Sequence, residues 1–149
     1  MGLQIMRPNR SLVLVFGSFD VLHLGHLHFF TQAKKHGSKL AVVVARDSSI
    51  KKNKGRKPFF SENERVKLVD SLKQVDKAVL GNRHDHHKII KKIKPDVIVL
   101  GYDQLVDLKK LFEKLASFGL GTRVVRLKKG FKQKKHKSSK AKKFLEKNI

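Results

Sequence analysis

The stretch FGSFDVLHLGHLHFF, Phe16 to Phe30, sets two imidazoles, His23 and His26, on either side of Gly25 and shortly after Gly17. An apolar run precedes it, so a strand ends at Gly17 and a helix begins at the histidines. Positions i and i+3 on the first turn of a helix lie on one side of it. Two rings placed there reach the same ligand, and the intervening glycine puts no side chain in its way. The free amides of a helix N-terminus favour anions. The chemistry that fits is hydrogen-bond donation to the phosphates of a nucleotide. A second apolar run ends the same way, at Gly101 in LGYDQ.

The rest of the chain must bring those two glycine turns together. Strand-like and helix-like runs alternate along it, the pattern of an α/β domain with a parallel sheet. The apolar runs near Val13, Val42 and Val97 are continuous, as strands covered on both faces require. Strands are expected at Leu12–Phe16, Leu40–Ala45, Ala78–Leu80, Val97–Leu100 and Arg123–Leu127. Helices are expected at Leu24–His36 with Gly37 as its stop, from Ser61 with Glu64 completing a capping box, over NRHDHHKIIKKIKP, at Leu105–Phe118, and from about Ser139. RDSSIKKNKGRKPFF reads as a long basic loop. The expected fold is a Rossmann-like, doubly wound five-stranded parallel sheet, order 3-2-1-4-5, with helices on both faces. In that order strands one and four flank the switch point, where open α/β sheets bind ligands. The chain reads as a single domain, residues 1–149, with residues 1–10 a loose lead and 128–138 a lysine-rich loop before the last helix.

Composition narrows the chemistry. There is no cysteine, which excludes disulfides and thiolate metal sites. No apolar run approaches the roughly 20 residues of a membrane span, and nothing resembles a signal peptide, so a cytoplasmic protein is expected. The net charge is +23. Subtracting the +9 of Lys128–Ile149 leaves +14 on residues 1–127, so the basicity is general and attracts polyanions, nucleotides and nucleic acid alike. The HDHH cluster, His84 to His87, reads as a solvated surface loop, and no metal site is expected there.

GSFDVLHLGH resembles the (T/S)-F-D-x-x-H-x-G-H signature of the cytidylyltransferase-like nucleotidyltransferase superfamily. VVVARD, VDKAVLG and PDVIVLGYDQ extend the likeness to nearly the whole chain, and together they are most similar to the archaeal FAD synthase branch. The sister branch is glycerol-3-phosphate cytidylyltransferase, which shares the fold and the histidine motif. The resemblance implies transfer of AMP from ATP to the phosphate of FMN, with Mg²⁺ accompanying ATP, and a homodimer. A phosphate acceptor is already ionised, so the site needs positioning and charge neutralisation rather than a base.

The resemblance also implies roles for particular residues. His23 and His26 donate to phosphate, with Lys52 beside them. Gly17, Leu24, Gly25 and Gly101 leave room for the nucleotide. Ser18 and Phe19 shape its pocket, and Asp103 faces the nucleoside. Lys51, Lys52 and Arg56 fold over the triphosphate, joined by Arg65. Ser138 and Ser139 start a helix whose amides hold the outer phosphates. Phe59, Phe60, Tyr102 and Phe131 are candidates to stack on the flavin. Where the cytidylyltransferase branch carries Arg-Thr-x-Gly-Ile-Ser-Thr-Thr, this chain has KHKSSKAKK, with Lys140 or Arg126 to supply the charge. A non-enzymic alternative is a basic nucleic-acid-binding protein whose nucleotide site is degenerate.

Overall fold

The computed structural model describes residues 11–128 and 138–148, the last helix contributing only backbone at 138–141 and 148. Five parallel strands, β1 (Leu12–Gly17), β2 (Lys39–Val44), β3 (Lys77–Leu80), β4 (Val97–Leu100) and β5 (Arg123–Arg126), form one sheet in the order β3-β2-β1-β4-β5. This is the doubly wound order expected from the sequence, and it sets β1 beside β4. Alternation along each strand divides the core between two faces. Val13, Val15, Val42, Val44, Val97 and Val99 face one side, where Phe30 of α1 (Leu24–Lys34) and Val69 of α3 (Glu62–Asp70) cover them. Leu14, Ala41, Val43, Ile98 and Leu100 face the other, beneath α4 (Lys88–Ile93) and α5 (Leu108–Ser117). Nearly all these residues are wholly buried, which is why their runs carry no polar alternation.

Two aspartates pin the start of the sheet. The Asp96 carboxylate, just before β4, accepts from the Leu12 amide of β1 at 2.8 Å. Asp76, just before β3, does the same for Leu40 of β2 at 2.8 Å. Each satisfies an amide at the start of a neighbouring strand.

The elements depart from expectation at five places. The basic stretch after β2 is mostly helical: α2 spans Asp47–Lys54 and stops at Gly55, whose φ of 73° is the left-handed cap conformation. Residues 82–87 are not helical, and α4 begins only at Lys88. Helix α5 starts at Leu108, because the Asp107 side chain accepts from the Lys110 amide at 3.1 Å and caps it there. Helix α1 ends at Lys34, and Gly37 serves close packing instead: a Cβ there would lie 2.5 Å from the Ser11 carbonyl. Only half of the expected capping box forms on α3. The Ser61 hydroxyl accepts from the Glu64 amide, and the Glu64 carboxylate returns to that hydroxyl rather than to the backbone. The lead at 1–10 and the lysine-rich segment at 129–137 lie outside the described residues.

Candidate active site

The tip of β1 turns at Gly17 and enters α1 through a cap made of the two histidines. The His23 Nδ1 accepts from the Gly25 amide at 3.1 Å, and the His26 Nδ1 accepts from the His23 amide at 3.3 Å. Histidine thus fills both places of a capping box, a role usually taken by a hydroxyl and a carboxylate. The rings stack with centroids 4.0 Å apart. Burial, and then the neighbouring His23, push the His26 pKa down to about 3, so that ring is neutral near pH 7. A neutral imidazole whose Nδ1 accepts carries its proton on Nε2. The cap therefore fixes the tautomer and leaves Nε2–H as the donor.

The turn before the cap is held from beneath. Phe19 adopts φ 49°, a left-handed conformation that costs a non-glycine residue about 1 kcal/mol or more. Its ring is buried, edge-on to His26 at 5.5 Å and against Phe30 at 5.0 Å. It also lies under Gly17, where an added Cβ would come within 2.5 Å of the ring. Phe19 thus shapes the turn from inside the core instead of lining an open pocket.

Arg65 corrects the expectation of a triphosphate ligand. It is fully buried, and its guanidinium donates to the Ser18 carbonyl at 2.7 Å, the Phe60 carbonyl at 3.0 Å and the Asp47 carboxylate at 2.7 Å. It braces the turn from behind. Asp20 is the second brace. Its carboxylate accepts from the Phe59 and Phe60 amides at 2.7 and 2.8 Å and pairs with Lys142 of α6 (Ser138–Asn148). Burial raises its pKa, but Lys142 and the two amides outweigh this and hold it below the usual carboxylate range.

The tip of β4 is tied to that of β1 by Gln104. Its Nε2 donates to the Phe16 carbonyl and its Oε1 accepts from the Gly101 amide, both at 3.1 Å. Arg126 of β5 donates to the carbonyls of Gly101 and Gln104 at 3.0 and 2.8 Å. The structure thus brings together Gly17, Ser18, His23, Gly25, His26 and Gly101, with Leu24 and Asp103 exposed beside them. Lys51 and Lys52 sit on α2 with Arg56 just beyond it, all solvent-facing rather than on a flexible loop. Ser138 and Ser139 begin α6, but their side chains lie outside the described residues, as does Phe131. Asp20, Asp47, Gln104, Arg126 and Lys142 complete the framework. Asp20, Asp47, Gln104 and Lys142 sit inside GSFDVLHLGH, VVVARD, PDVIVLGYDQ and KHKSSKAKK, but nothing in those runs distinguishes a brace of the fold from a ligand.

On the α4–α5 face of the sheet, the same strand tips enclose a cavity of about 270 Å³. Gly17, Ser18, Arg46, Gly81, Asn82, His86 and His87 stand among its lining residues. Burial, the largest influence, pushes the His87 pKa down. Of the aromatic flavin candidates among the described residues, Phe59, Phe60 and Tyr102, none lines this cavity. Phe59 instead borders a second hollow with Arg56, Lys57 and Lys142. Among the described residues, no three metal-ligating side chains converge. Asp20 and Asp47 are both engaged by cations of the fold.

Comparison with known proteins gives a consistent answer. Residues 14–144 match the Cytidylyltransferase-like family. The chain is 49% identical over 117 residues to FAD synthase of Thermoplasma acidophilum, covering 78% of this chain and 82% of that protein. It is 44% identical over 137 residues to FAD synthase of Pyrococcus abyssi, covering 91% and 93%. Among solved structures it resembles the lipopolysaccharide core biosynthesis protein from Thermoplasma volcanium, with a TM-score of 0.75 and 44% identity over 81% of this chain and 98% of that one. With its strand order, histidine cap and family match in agreement, the chain belongs to the cytidylyltransferase-like family.

Proposed function

We infer that the chain is an FAD synthase: it transfers AMP from ATP to the phosphate of FMN, releasing pyrophosphate. The observation that carries this reading is its 44–50% identity to archaeal FAD synthases over most of their length. A phosphate oxygen of FMN attacks the α-phosphorus of ATP. The bond from that phosphorus to the bridging oxygen of the β-phosphate breaks, and its electrons leave with pyrophosphate. No proton has to be abstracted, so the protein acts by alignment and charge stabilisation.

The geometry supports roles for this chain's residues. The triphosphate lies over Gly17, Ser18 and Gly25, with the nucleoside towards Gly101 and Asp103. Fixed Nε2–H donors of His23 and His26 stabilise charge on the reacting phosphates. Lys51, Lys52 and Arg56 draw in the polyphosphate from the solvent face of α2, and the first amides of α6, at Ser138 and Ser139, take its outer end. Mg²⁺ arrives with ATP, held by phosphate oxygens and water, while Asp20 and Asp47 stay engaged by the fold. A homodimer and a cytoplasmic location belong to the same reading. Exposed Leu108 and Phe112, one turn apart on α5, support the dimer. Among the described residues, no helix is long and apolar enough to cross a membrane.

Incubation with FMN, ATP and Mg²⁺, followed by chromatography, tests the reaction: FAD and pyrophosphate form in equal amounts. CDP-glycerol from CTP and glycerol 3-phosphate, with no FAD, would assign the sister reaction instead. Salt-sensitive nucleic-acid binding without transfer to either acceptor would point to a degenerate site.

A further inference from the structure

The cavity on the α4–α5 face of the sheet has a chemistry that the nucleotide reading does not use. Its floor is apolar, with Phe16, Val43, Ile98 and Leu100. Most ligand sites combine such walls with a few placed polar groups. Two of the polar residues lining it are committed to the fold. Arg46 donates to the Gly81 carbonyl and to Glu62, each at 2.8 Å. Gln104 bridges the two strand tips. Asn82 differs: its Oδ1 is buried and meets no donor among the described residues. A buried acceptor left unmatched is costly, and where one persists it calls for a ligand or a function.

We propose that Asn82 reads the flavin ring of the acceptor, its carboxamide pairing with the imide edge of the dioxopyrimidine. This rests on the reading that FMN is the acceptor. The isoalloxazine system is flat and largely apolar, and one edge presents C=O, N–H and C=O in a row. A carboxamide offers the matching acceptor and donor side by side. Asn82 lines the cavity, and its soft terminal torsion lets the carboxamide turn about χ2 to meet a ring lodged there. The backbone on which it turns is fixed, because Arg46 holds the carbonyl of the preceding Gly81. Gly17 and Ser18 line the cavity and also lead into the histidine cap. A ring lodged on this side therefore sends its phosphate chain out over the tip of β1, towards the imidazoles on the opposite face.

The test compares FMN with N3-methyl-FMN, which lacks the imide N–H, in the native protein and in Asn82→Leu. Binding is read by quenching of flavin fluorescence, and turnover by FAD formation. The native protein binds FMN about tenfold more tightly than the methylated analogue, the discrimination a single buried hydrogen bond provides. Asn82→Leu loses that preference and leaves the KM for ATP unchanged. Equal native affinity for the two flavins, with FAD still formed, would overturn the role of Asn82 while leaving FMN as the acceptor. Failure of the native protein to bind or convert either flavin would overturn the acceptor reading beneath it. The two-flavin comparison in the native protein needs no variant, so it stands even if Asn82→Leu fails to fold.

Discussion

Two strands of this sheet end in glycine, and they do so for different reasons. At Gly17 a Cβ would lie 2.5 to 2.9 Å from the ring of Phe19. That ring is buried against Phe30 and His26 and has nowhere to go. At Gly101 the nearest atom, from Gln104, is 3.8 Å away, an ordinary contact. The first tip is closed from within and carries the two imidazoles. The second is open and braced only through the backbone, by Gln104 and Arg126. A glycine at a strand tip is thus not one signal: one holds the histidine-capped turn against the core, while the other leaves ordinary contact distance beside its backbone.

The largest expected effects fall on the closed tip. His23→Ala and His26→Ala should each lower kcat for FAD formation by about a hundred- to a thousand-fold, the usual consequence of losing one preorganised donor. Near-normal turnover in either variant would show that the cap serves the fold alone. Gly17→Ala comes next. It should destabilise the protein by about 1–3 kcal/mol through overpacking, and turnover should drop as well, because the displaced ring of Phe19 pushes on His26. Urea unfolding and initial rates on one preparation measure both.

The buried imidazole also gives this tip a pH signature. His26 titrates at about 3 in the fold, against 6.5 for the free side chain. Between those values the unfolded chain binds a proton that the folded one refuses, so stability should fall as pH drops from 6.5 towards 3. Asp20 contributes in a lower window: its carboxylate is held below the ordinary 3.8, and its support is lost only as pH falls through the folded value. Urea midpoints at pH 7 and pH 5 should therefore differ in the native protein, and the difference should narrow in His26→Gln to the share left by His87, whose pKa burial also lowers. The smallest change is expected at the open tip. Gly101→Ala should leave stability within about 0.5 kcal/mol while raising the KM for ATP. Equal stability losses at Gly17 and Gly101 would dissolve the contrast between the tips.

The central strands were legible in the sequence because buried parallel strands write themselves as unbroken apolar runs, and glycine marks where β1 and β4 end; their order is encoded in no single run. The histidine cap was legible because its spacing carries the chemistry. Helix α2 was not: Asp47–Lys54 buries only Ser49 and Ile50, so no apolar stripe betrays it. Its signal lay in punctuation, an aspartate in the first turn and a glycine after the lysines. Arg65 was misread because an arginine near a phosphate site invites a phosphate role. Its spacing to Val69 placed it on the inner face of α3, and the structure buries it there. The flavin candidates were sought among aromatic rings, three phenylalanines and Tyr102, but an orphaned acceptor such as Asn82 Oδ1 leaves no trace in a sequence, because it depends on what fails to stand next to it.

The pairing of Asp20 with Lys142 bears on how the protein is made. A carboxylate just after β1 meets its cation only when α6 arrives, so a ribosome must have released the chain through Lys142 before that corner can close. Until then the turn that carries the imidazoles lacks one of its struts, and a nascent polypeptide that stops short of α6 has the sheet and its glycines without the closed corner.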